Sequence, residues 1–313
     1  MTISATTSTV NGLIRIKGTD ASKFLQGQLT CDMSKLGEKN SLPGAYCSPQ
    51  GRVRATFIIF QLNIDDFLMI LPKPQVSFML DIMAPYVAFF KCTMTDSSDN
   101  WHFFGLQLIT DAEQVILNDL PELTNVTWEI SAANSVYCIR LPGETLRWLC
   151  LSKQPTADYI SNLATLKEEE WQREDLLSGL TWISELNRDK FLPHDLSLPT
   201  IGAISFTKGC YTGQEIVARM QYRGDPKYLL AIIKTPPIDD MISEKIVQLV
   251  DNSEHLNVGT IIERLHLSDN SWLISASVKR ALLNQAQFQL LSNERSILCS
   301  IRIPTAFKES NNQ

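Results

Sequence analysis

The sequence lacks the residue patterns that mark several common classes of protein. Its 313 residues include only four histidines and contain no Cys-x-x-Cys or His-Glu-x-x-His motif, so no obvious zinc ligand set is present. No apolar run approaches the roughly 20 residues that a membrane-spanning helix needs. The formal net charge is -6, which disfavours binding to nucleic-acid phosphates. We therefore expect no bound metal, no membrane span and no direct nucleic-acid contact.

The cysteines also lack the pairing expected of a disulfide framework. They are odd in number and widely scattered, which is typical of reduced thiols in the cytoplasm. The first ten residues have neither a basic start nor an apolar segment, so a secretory signal is not expected and a cytoplasmic location is predicted. The seven are Cys31, Cys47, Cys92, Cys138, Cys150, Cys210 and Cys299.

Hydrophobic residues at 44% and charged residues at 20% are ordinary for a globular protein, and the length allows two or three compact units. Turn residues at 48–51 and at Pro142-Gly143 predict two β-hairpins, and a helix is predicted at 112–120. From Tyr228 onward, short strands alternate with turn residues and predict a small β-barrel. The predicted units are residues 1–100 and 101–226, both α+β, and 227–313, the barrel.

The segment Lys208 to Glu215, KGCYTGQE, has the features of a helix start. Thr212 and Glu215 have the spacing of a capping box, and Tyr211 and Ile216 have that of a hydrophobic staple. Gly224 and Pro226 cannot continue a helix, so the helix should run from about Gly213 to about Arg223.

Cys210 then lies two residues outside a helix N-terminus, where free amides and the helix dipole favour a thiolate over a thiol. Lys208 and Arg219 are expected to add to that effect. The alternative is a buried cysteine that serves as a small hydrophobe, which we expect for the other six.

Two further features are candidates for ligand binding. Lys208, Arg219, Arg223 and Lys227 outnumber the nearby acids and would attract an anionic ligand, although a solvated helix face explains the same pattern. Trp171 offers a flat face for a heteroaromatic ring, although a tryptophan is more often part of the core.

KGCYTGQE, followed by Ile216-Val217-Ala218-Arg219 and Tyr222-Arg223-Gly224, resembles the YgfZ-type folate-binding proteins. The resemblance continues at residues 201–206, at Gly18 and Asp20, and at Phe24 to Asp32. It covers most of the chain, with the middle and the C-terminal part similar mainly in pattern. This family is related in fold to the glycine cleavage T-protein, an aminomethyltransferase.

The resemblance implies an α+β fold with two ferredoxin-like, T-protein-type units around a central channel, plus a C-terminal β-barrel. It implies binding of tetrahydrofolate or a one-carbon derivative, with Trp171, Asn11, Arg219 and Arg223 as the candidate folate-binding residues. It also implies an accessory role, rather than that of a classical enzyme, in assembling or repairing iron-sulfur clusters for tRNA-modifying enzymes. Cys210 would be the functional thiol, within a motif of Lys208, Gly209, Tyr211, Thr212, Gly213, Gln214 and Glu215. The thiol could ligate a cluster, exchange disulfides or accept sulfur.

Two departures from the family pattern leave other functions open. The T-proteins carry an essential aspartate where Ala55-Thr56 stands here, which argues against the alternative of a folate-dependent one-carbon transferase. Family members often have a glutamate at the position of Leu177, and Glu174 and Asp175 are the candidate substitutes for it. A third alternative is an interaction module that no longer binds folate, suggested by Leu177 and Asn11.

Overall fold

The computed structural model describes residues 3–7, 11–108, 120–238, 245–250, 254–283, 287–292 and 295–306. The α-helices in these residues are α1 (Ala21–Gln28), α2 (Val76–Val87), α3 (Ala157–Ile160), α4 (Glu168–Ser178) and α5 (Gln214–Arg223). The strands are β1 (Ile3–Thr6), β2 (Asn11–Lys17), β3 (Ser41–Cys47), β4 (Val53–Asn63), β5 (Asp66–Pro72), β6 (Thr93–Asp96), β7 (His102–Leu108), β8 (Ile130–Ala133), β9 (Val136–Arg140), β10 (Arg147–Ser152), β11 (Ala164–Thr165), β12 (Tyr228–Lys234), β13 (Lys245–Val250), β14 (Glu254–His266), β15 (Trp272–Lys279), β16 (Gln287–Ser292) and β17 (Arg295–Arg302).

The first sheet has the order β3-β4-β5-β2-β6 and is covered on both faces. Side chains alternate across a strand, so β4 sends Phe57 and Ile59 to one face and Ile58 and Phe60 to the other. The first pair packs with α1 and α2, and the second pair packs against strands of the second sheet. Burial on both faces explains why β4 and β5 are nearly continuous apolar runs.

The second sheet has the order β11-β1-β7-β10-β9-β8. Leu149 and Leu151 of β10 face the first sheet, while Cys150 faces the opposite side. The N-terminal strand β1 pairs with β7 and β11 and therefore belongs to this sheet, although β2 belongs to the first. The chain thus crosses between the two sheets within its first 20 residues, and the unit boundaries given above stay a prediction.

The third sheet has the order β13-β14-β15-β12-β17-β16. The two edge strands, β13 and β16, approach within 8 Å between Cα atoms, but no backbone ladder joins them in the described residues. The predicted C-terminal β-barrel is therefore wrong in its closure: the strands form an open sheet. An edge strand closes a barrel only when its partner is in hydrogen-bonding register, which a strand pattern alone does not determine.

The mixed α+β class and both predicted hairpins are confirmed, since β3 pairs with β4 and β9 pairs with β10. The helix predicted at 112–120 falls, apart from its last residue, outside the described residues. The ferredoxin-like character of the units and the central channel stay predictions. None of the helices described is long and apolar enough to cross a membrane.

Candidate functional site

The KGCYTGQE segment forms a tight turn that leads into α5, as predicted, but its cap differs from the prediction. The N-cap is Gly213, in the left-handed region at φ 82°, and no side chain caps the helix. The Thr212 hydroxyl instead donates to Oε1 of Gln28 at 3.4 Å, so the predicted capping box is wrong. The predicted Tyr211–Ile216 staple is likewise one residue out of register. Only glycine adopts the left-handed backbone conformation of residue 213 without strain.

Gly213 also lets the β3–β4 hairpin turn approach the helix start. A Cβ atom here would overlap the carbonyl oxygen of Ser48 and would lie 3.0 Å from the Cα of Gly51. Gly51 has φ 71°, and a Cβ there would lie 2.9 Å from the Cβ of Ile216. The two glycines therefore fix the turn against the first sheet.

Lys208 holds the other end of the turn. It is only 8% exposed, and its Nζ donates to the carbonyl oxygens of Leu29 and Cys31, each at 2.7 Å. Burial lowers the pKa of Lys208 to about 8. Its ammonium also lies 5.3 Å from the centroid of the Tyr211 ring. Lys208 therefore points into the protein and anchors the turn to the segment that follows α1.

Further hydrogen bonds connect the segment that follows α1 with the segment that leads into the turn. The backbone N–H of Ser205 donates to the carbonyl of Thr30 at 2.9 Å, and the Thr30 hydroxyl donates to the carbonyl of Ala203 at 2.7 Å. Together with the Lys208 and Thr212 contacts, they join residues 28–31 to residues 203–212 across more than 170 positions of sequence.

Cys210 is exposed, at the outer side of this turn, four residues before the first helical residue. Of the other six cysteines, five are buried and Cys92 is partly buried. A Cβ atom added to the adjacent Gly209 would meet no atom within 4 Å, so the surroundings of the thiol are open. Cys210 is thus the thiol that a partner molecule can reach.

We expect Gly213→Ala to destabilise the protein by at least about 1–2 kcal/mol, the usual cost of a left-handed L-residue, with a further cost from the Ser48 overlap. Gly209→Ala is the matched control because its new methyl group enters open space, and it should change stability by less than about 0.5 kcal/mol. Urea denaturation of the two variants measures both effects. Equal stability of the variants would show that Gly213 does not fix the turn.

A cavity of about 240 Å³ lies apart from the turn, and Trp171 of α4 borders it. Trp171 is 5% exposed, and a Cβ atom on Gly105 of β7 would lie 2.5 Å from its ring. The guanidinium carbon of Arg147 lies 5.1 Å from the ring centroid on a buried side. The lining residues are Thr6, Thr7, Asn11, Pro72, Pro74, Gln75, Leu141, Leu149, Glu168, Trp171, Gln172, Asp175, Trp182, Ser184, Glu185 and Glu263.

Two carboxyl groups with raised pKa values border this cavity. Burial raises the pKa of Asp175, although its ion pair with Arg147 opposes the shift. Oδ2 of Asp175 also accepts a hydrogen bond from Nε1 of Trp182 at 3.2 Å. Burial, and next the charge of Asp175, raise the pKa of Glu263 to about 7. The side chain of Glu263 is partly exposed because it borders the cavity, and it has no hydrogen bond to a described residue.

The sequence did not identify Glu263. It lies on β14 of the third sheet, where the pairing with β15 shifts by one residue between Ile261 and Glu263. Such a β-bulge redirects a side chain, and bulges occur often beside functional sites. A single glutamate in a strand of alternating polar and apolar residues gives no sign in the sequence of a β-bulge or of a binding site.

The structure brings together only part of the predicted site. Trp171 and Asn11 border the same cavity, whereas Arg219 and Arg223 border a separate groove beside α5. Neither Cys210 nor any other residue of the KGCYTGQE segment lines the cavity. Leu177 faces a third groove, on the far side of α4. The thiol and the Trp171 cavity are therefore separate places on the molecule.

Metal binding was not expected from the sequence. Among the residues that the structure describes, no group of three or more His, Cys, Asp or Glu side chains is arranged to hold a metal ion.

Comparison with known proteins identifies the relatives of the chain. No family model matches it. It is 28% identical over 268 residues to a tRNA-modifying protein YgfZ of Colwellia psychrerythraea, covering 85% of this chain and 82% of that protein. A second tRNA-modifying protein YgfZ, from Hamiltonella defensa, is 27% identical over 310 residues, with 96% and 91% covered. The crystal structure of the glycine cleavage system aminomethyltransferase T from Bartonella henselae superposes with a TM-score of 0.74 at 12% identity, covering 97% of this chain and 86% of that one.

Proposed function

Because this chain is related along most of its length to proteins named tRNA-modifying protein YgfZ, and has the fold of an aminomethyltransferase T, we propose that it binds tetrahydrofolate or a one-carbon derivative in the Trp171 cavity. We further propose that it is an accessory protein for the assembly or repair of iron-sulfur clusters. Through that role it supports cluster-dependent tRNA modification, and it acts through Cys210.

The observation that carries the folate proposal is the Glu263 carboxyl group. The pterin ring of a folate presents an amino group and a ring N–H side by side, and a carboxylate, which only accepts hydrogen bonds, is the natural partner for such an edge. Asp175 already accepts from Arg147 and Trp182, while no donor among the described residues reaches the Glu263 side chain. Glu263 therefore supplies the acceptor that Leu177 does not.

The size and charge of the cavity favour the ring system of the ligand. A volume of about 240 Å³ is somewhat below the roughly 300–1,000 Å³ of sites that enclose a whole drug-sized molecule. Glu168, Asp175, Glu185 and Glu263 line the cavity, so it would repel the carboxylates of the folate tail. The pterin enters and the tail points outward. Trp171 and Asn11 then border the ring.

Strand β4 connects the cavity with the Cys210 turn. Its first residue follows the hairpin turn that packs on Gly213. Three residues later, the hydroxyl of Thr56 donates to the carbonyl of Thr181 at 2.7 Å and accepts from the N–H of Ile183 at 3.0 Å. These two bonds fix the segment that carries Trp182. A ligand in the cavity therefore contacts a segment that is held by the same strand as the turn.

Titration calorimetry with tetrahydrofolate tests the ligand. Hydrogen bonds from the pterin favour ionised Glu263 and lower its pKa, so binding at pH 6 should release close to one proton and affinity should rise from pH 6 to pH 8. Glu263→Gln should weaken binding about 10- to 100-fold, as for loss of a hydrogen bond to a charged group, and should remove the pH dependence. The absence of heat and of any tryptophan fluorescence change at millimolar tetrahydrofolate would favour the interaction module without folate.

The second candidate is a folate-dependent one-carbon transferase. Glu263 favours it, because a carboxyl group that titrates near pH 7 can donate or accept a proton in a reaction. Thr56 argues against it, because its hydroxyl is buried in the structural contacts with Thr181 and Ile183. Turnover of methylene-tetrahydrofolate by the pure protein, with an amine or a thiol as acceptor, distinguishes the two functions.

A further inference from the structure

Helix α5 is largely exposed. It has ten residues, and Val217 is its only buried side chain. Helices of this length are marginal on their own and normally depend on packing of an apolar face. Besides the Val217 contact, Gln221 of α5 meets the ring of His194 at 3.1 Å. Ile216, Arg219 and Arg223 are exposed on one side of the helix, which we call its outward face.

This outward face contains an apolar groove. The groove has a volume of about 240 Å³ and is lined by Leu192, Ile216, Arg219, Met220, Arg223 and Gly224. The four helical residues have the spacing i, i+3, i+4 and i+7, so they form a single stripe along α5. Ile216 is 38% exposed. We call this feature the α5 groove.

The charge of the α5 groove is uncompensated. Arg219 and Arg223 are exposed, lie four residues apart, and form no ion pair with a described carboxylate. Like charges at this spacing destabilise a helix slightly. The chain has 34 acidic and 28 basic residues, and the nearby Asp225 pairs with Arg280 at 2.6 Å instead. Two unpaired arginines beside an apolar groove on an acidic protein match an acidic, amphipathic partner.

The α5 groove also lies within reach of the thiol. Cys210 precedes the first residue of α5 by four positions, so its Cα lies at most about 14 Å from that of Gln214. The helix itself is about 15 Å long. A protein that covers the groove would therefore extend over, or close to, the exposed sulfur.

We propose that the α5 groove is the docking site for an acidic, amphipathic surface of the protein on which Cys210 acts. An apolar side chain of the partner enters beside Ile216 and Met220, and partner carboxylates pair with Arg219 and Arg223. A protein fits better than RNA because the stripe has only two cations and no aromatic side chain on which a base could stack. The inference rests on the proposed function for the role of Cys210.

The test compares two double charge reversals in cells that lack the protein. Arg219→Glu/Arg223→Glu changes the groove, and Lys39→Glu/Lys91→Glu makes the same change of net charge at exposed positions elsewhere. The groove variant should lower cluster-dependent tRNA modification at least 10-fold, while tetrahydrofolate affinity and thermal unfolding stay as in the wild type. The control should retain full modification. Full modification with the groove variant, or equal loss with the control, would overturn the proposal.

A second measurement does not depend on the proposed function. A photo-crosslinking amino acid at position 220 should form an adduct with a protein whose crosslinked peptide carries carboxylates, and the groove charge reversal should reduce that adduct at least 10-fold. Position 64, which is 85% exposed elsewhere, is the background control. Crosslinks to tRNA, or none above background, would exclude protein docking. If Cys210→Ala also leaves modification intact, the proposed function fails while this measurement still decides the docking.

Discussion

A Cys210→Ala variant is expected to restore none of the cluster-dependent tRNA modification in cells that lack this protein. Cys210 is exposed on a turn that Lys208 and Gly213 hold in place, whereas the remaining cysteines are buried or partly buried. Ligating a cluster, exchanging a disulfide and accepting sulfur all require an accessible sulfur atom, so removal of this one should abolish each of them. The ratio of modified to unmodified nucleoside, measured by mass spectrometry of tRNA, gives the result.

Cys92→Ala is the matched control for this substitution. Cys92 is the next most exposed thiol, packs at the edge of the first-sheet core, and lies outside the turn. Burial raises the pKa of its thiol, which makes it a weaker nucleophile at neutral pH. The control variant should restore modification fully. Restoration by Cys210→Ala to the level of the control would remove the thiol from the proposed function.

The helix after the turn was predictable from local signals, but its cap was not. Gly224 and Pro226 end a helix through their own backbone properties, and α5 ends at Arg223 as predicted. The cap depended on a choice between Thr212 and Gly213. The hairpin turn at residues 48–51, about 160 residues earlier, packs on Gly213 and requires it in the left-handed conformation. A contact between residues so far apart in the chain cannot be predicted from the local sequence.

The position of the Lys208 side chain was not predictable for the same reason. Its position beside Cys210 suggested a cation that would favour the thiolate. Its ammonium instead donates to carbonyl oxygens of Leu29 and Cys31, 179 and 177 positions away. Those acceptors are free because the chain leaves α1 at Leu29 in an extended conformation. The Lys208 side chain is long enough to lie beside the Cys210 thiol or to reach these carbonyl oxygens. Only the fold determines which of the two it does.

The Trp171 cavity was predictable in part. The resemblance pointed to Trp171 and Asn11, and it named Glu174 or Asp175 as substitutes for a missing glutamate. Helix periodicity does not separate those two, since residues three and four positions after Trp171 both lie on its side of the helix. In the structure Asp175 borders the cavity, while Glu174 accepts from the hydroxyl of Thr145 outside it. Glu263 belongs to the third sheet, and its place beside the cavity depends on how that sheet packs on the rest of the protein.

Replacement of Arg147 by methionine should cost about 3–5 kcal/mol of stability, the usual effect of breaking a buried ion pair. Arg147 on β10 is almost fully buried and pairs with Asp175 on α4. Its Nη2 also donates to Oγ of Ser178 at 3.0 Å, and its guanidinium packs on Trp171. The Arg147→Met variant leaves the Asp175 carboxylate buried without its cation. Urea denaturation at pH 8 measures the loss.

A double variant, Arg147→Met/Asp175→Leu, separates the cost of the uncompensated charge from the cost of lost packing. Burial already raises the pKa of Asp175 with Arg147 present, so this pKa must rise further without it. Because the folded state then binds a proton more readily than the unfolded state, the single variant should lose less stability at pH 5 than at pH 8. The double variant should recover most of the loss and show no such difference. If both variants are equally unstable at both pH values, Arg147 acts through packing on Trp171 and the ion pair contributes nothing to the position of α4.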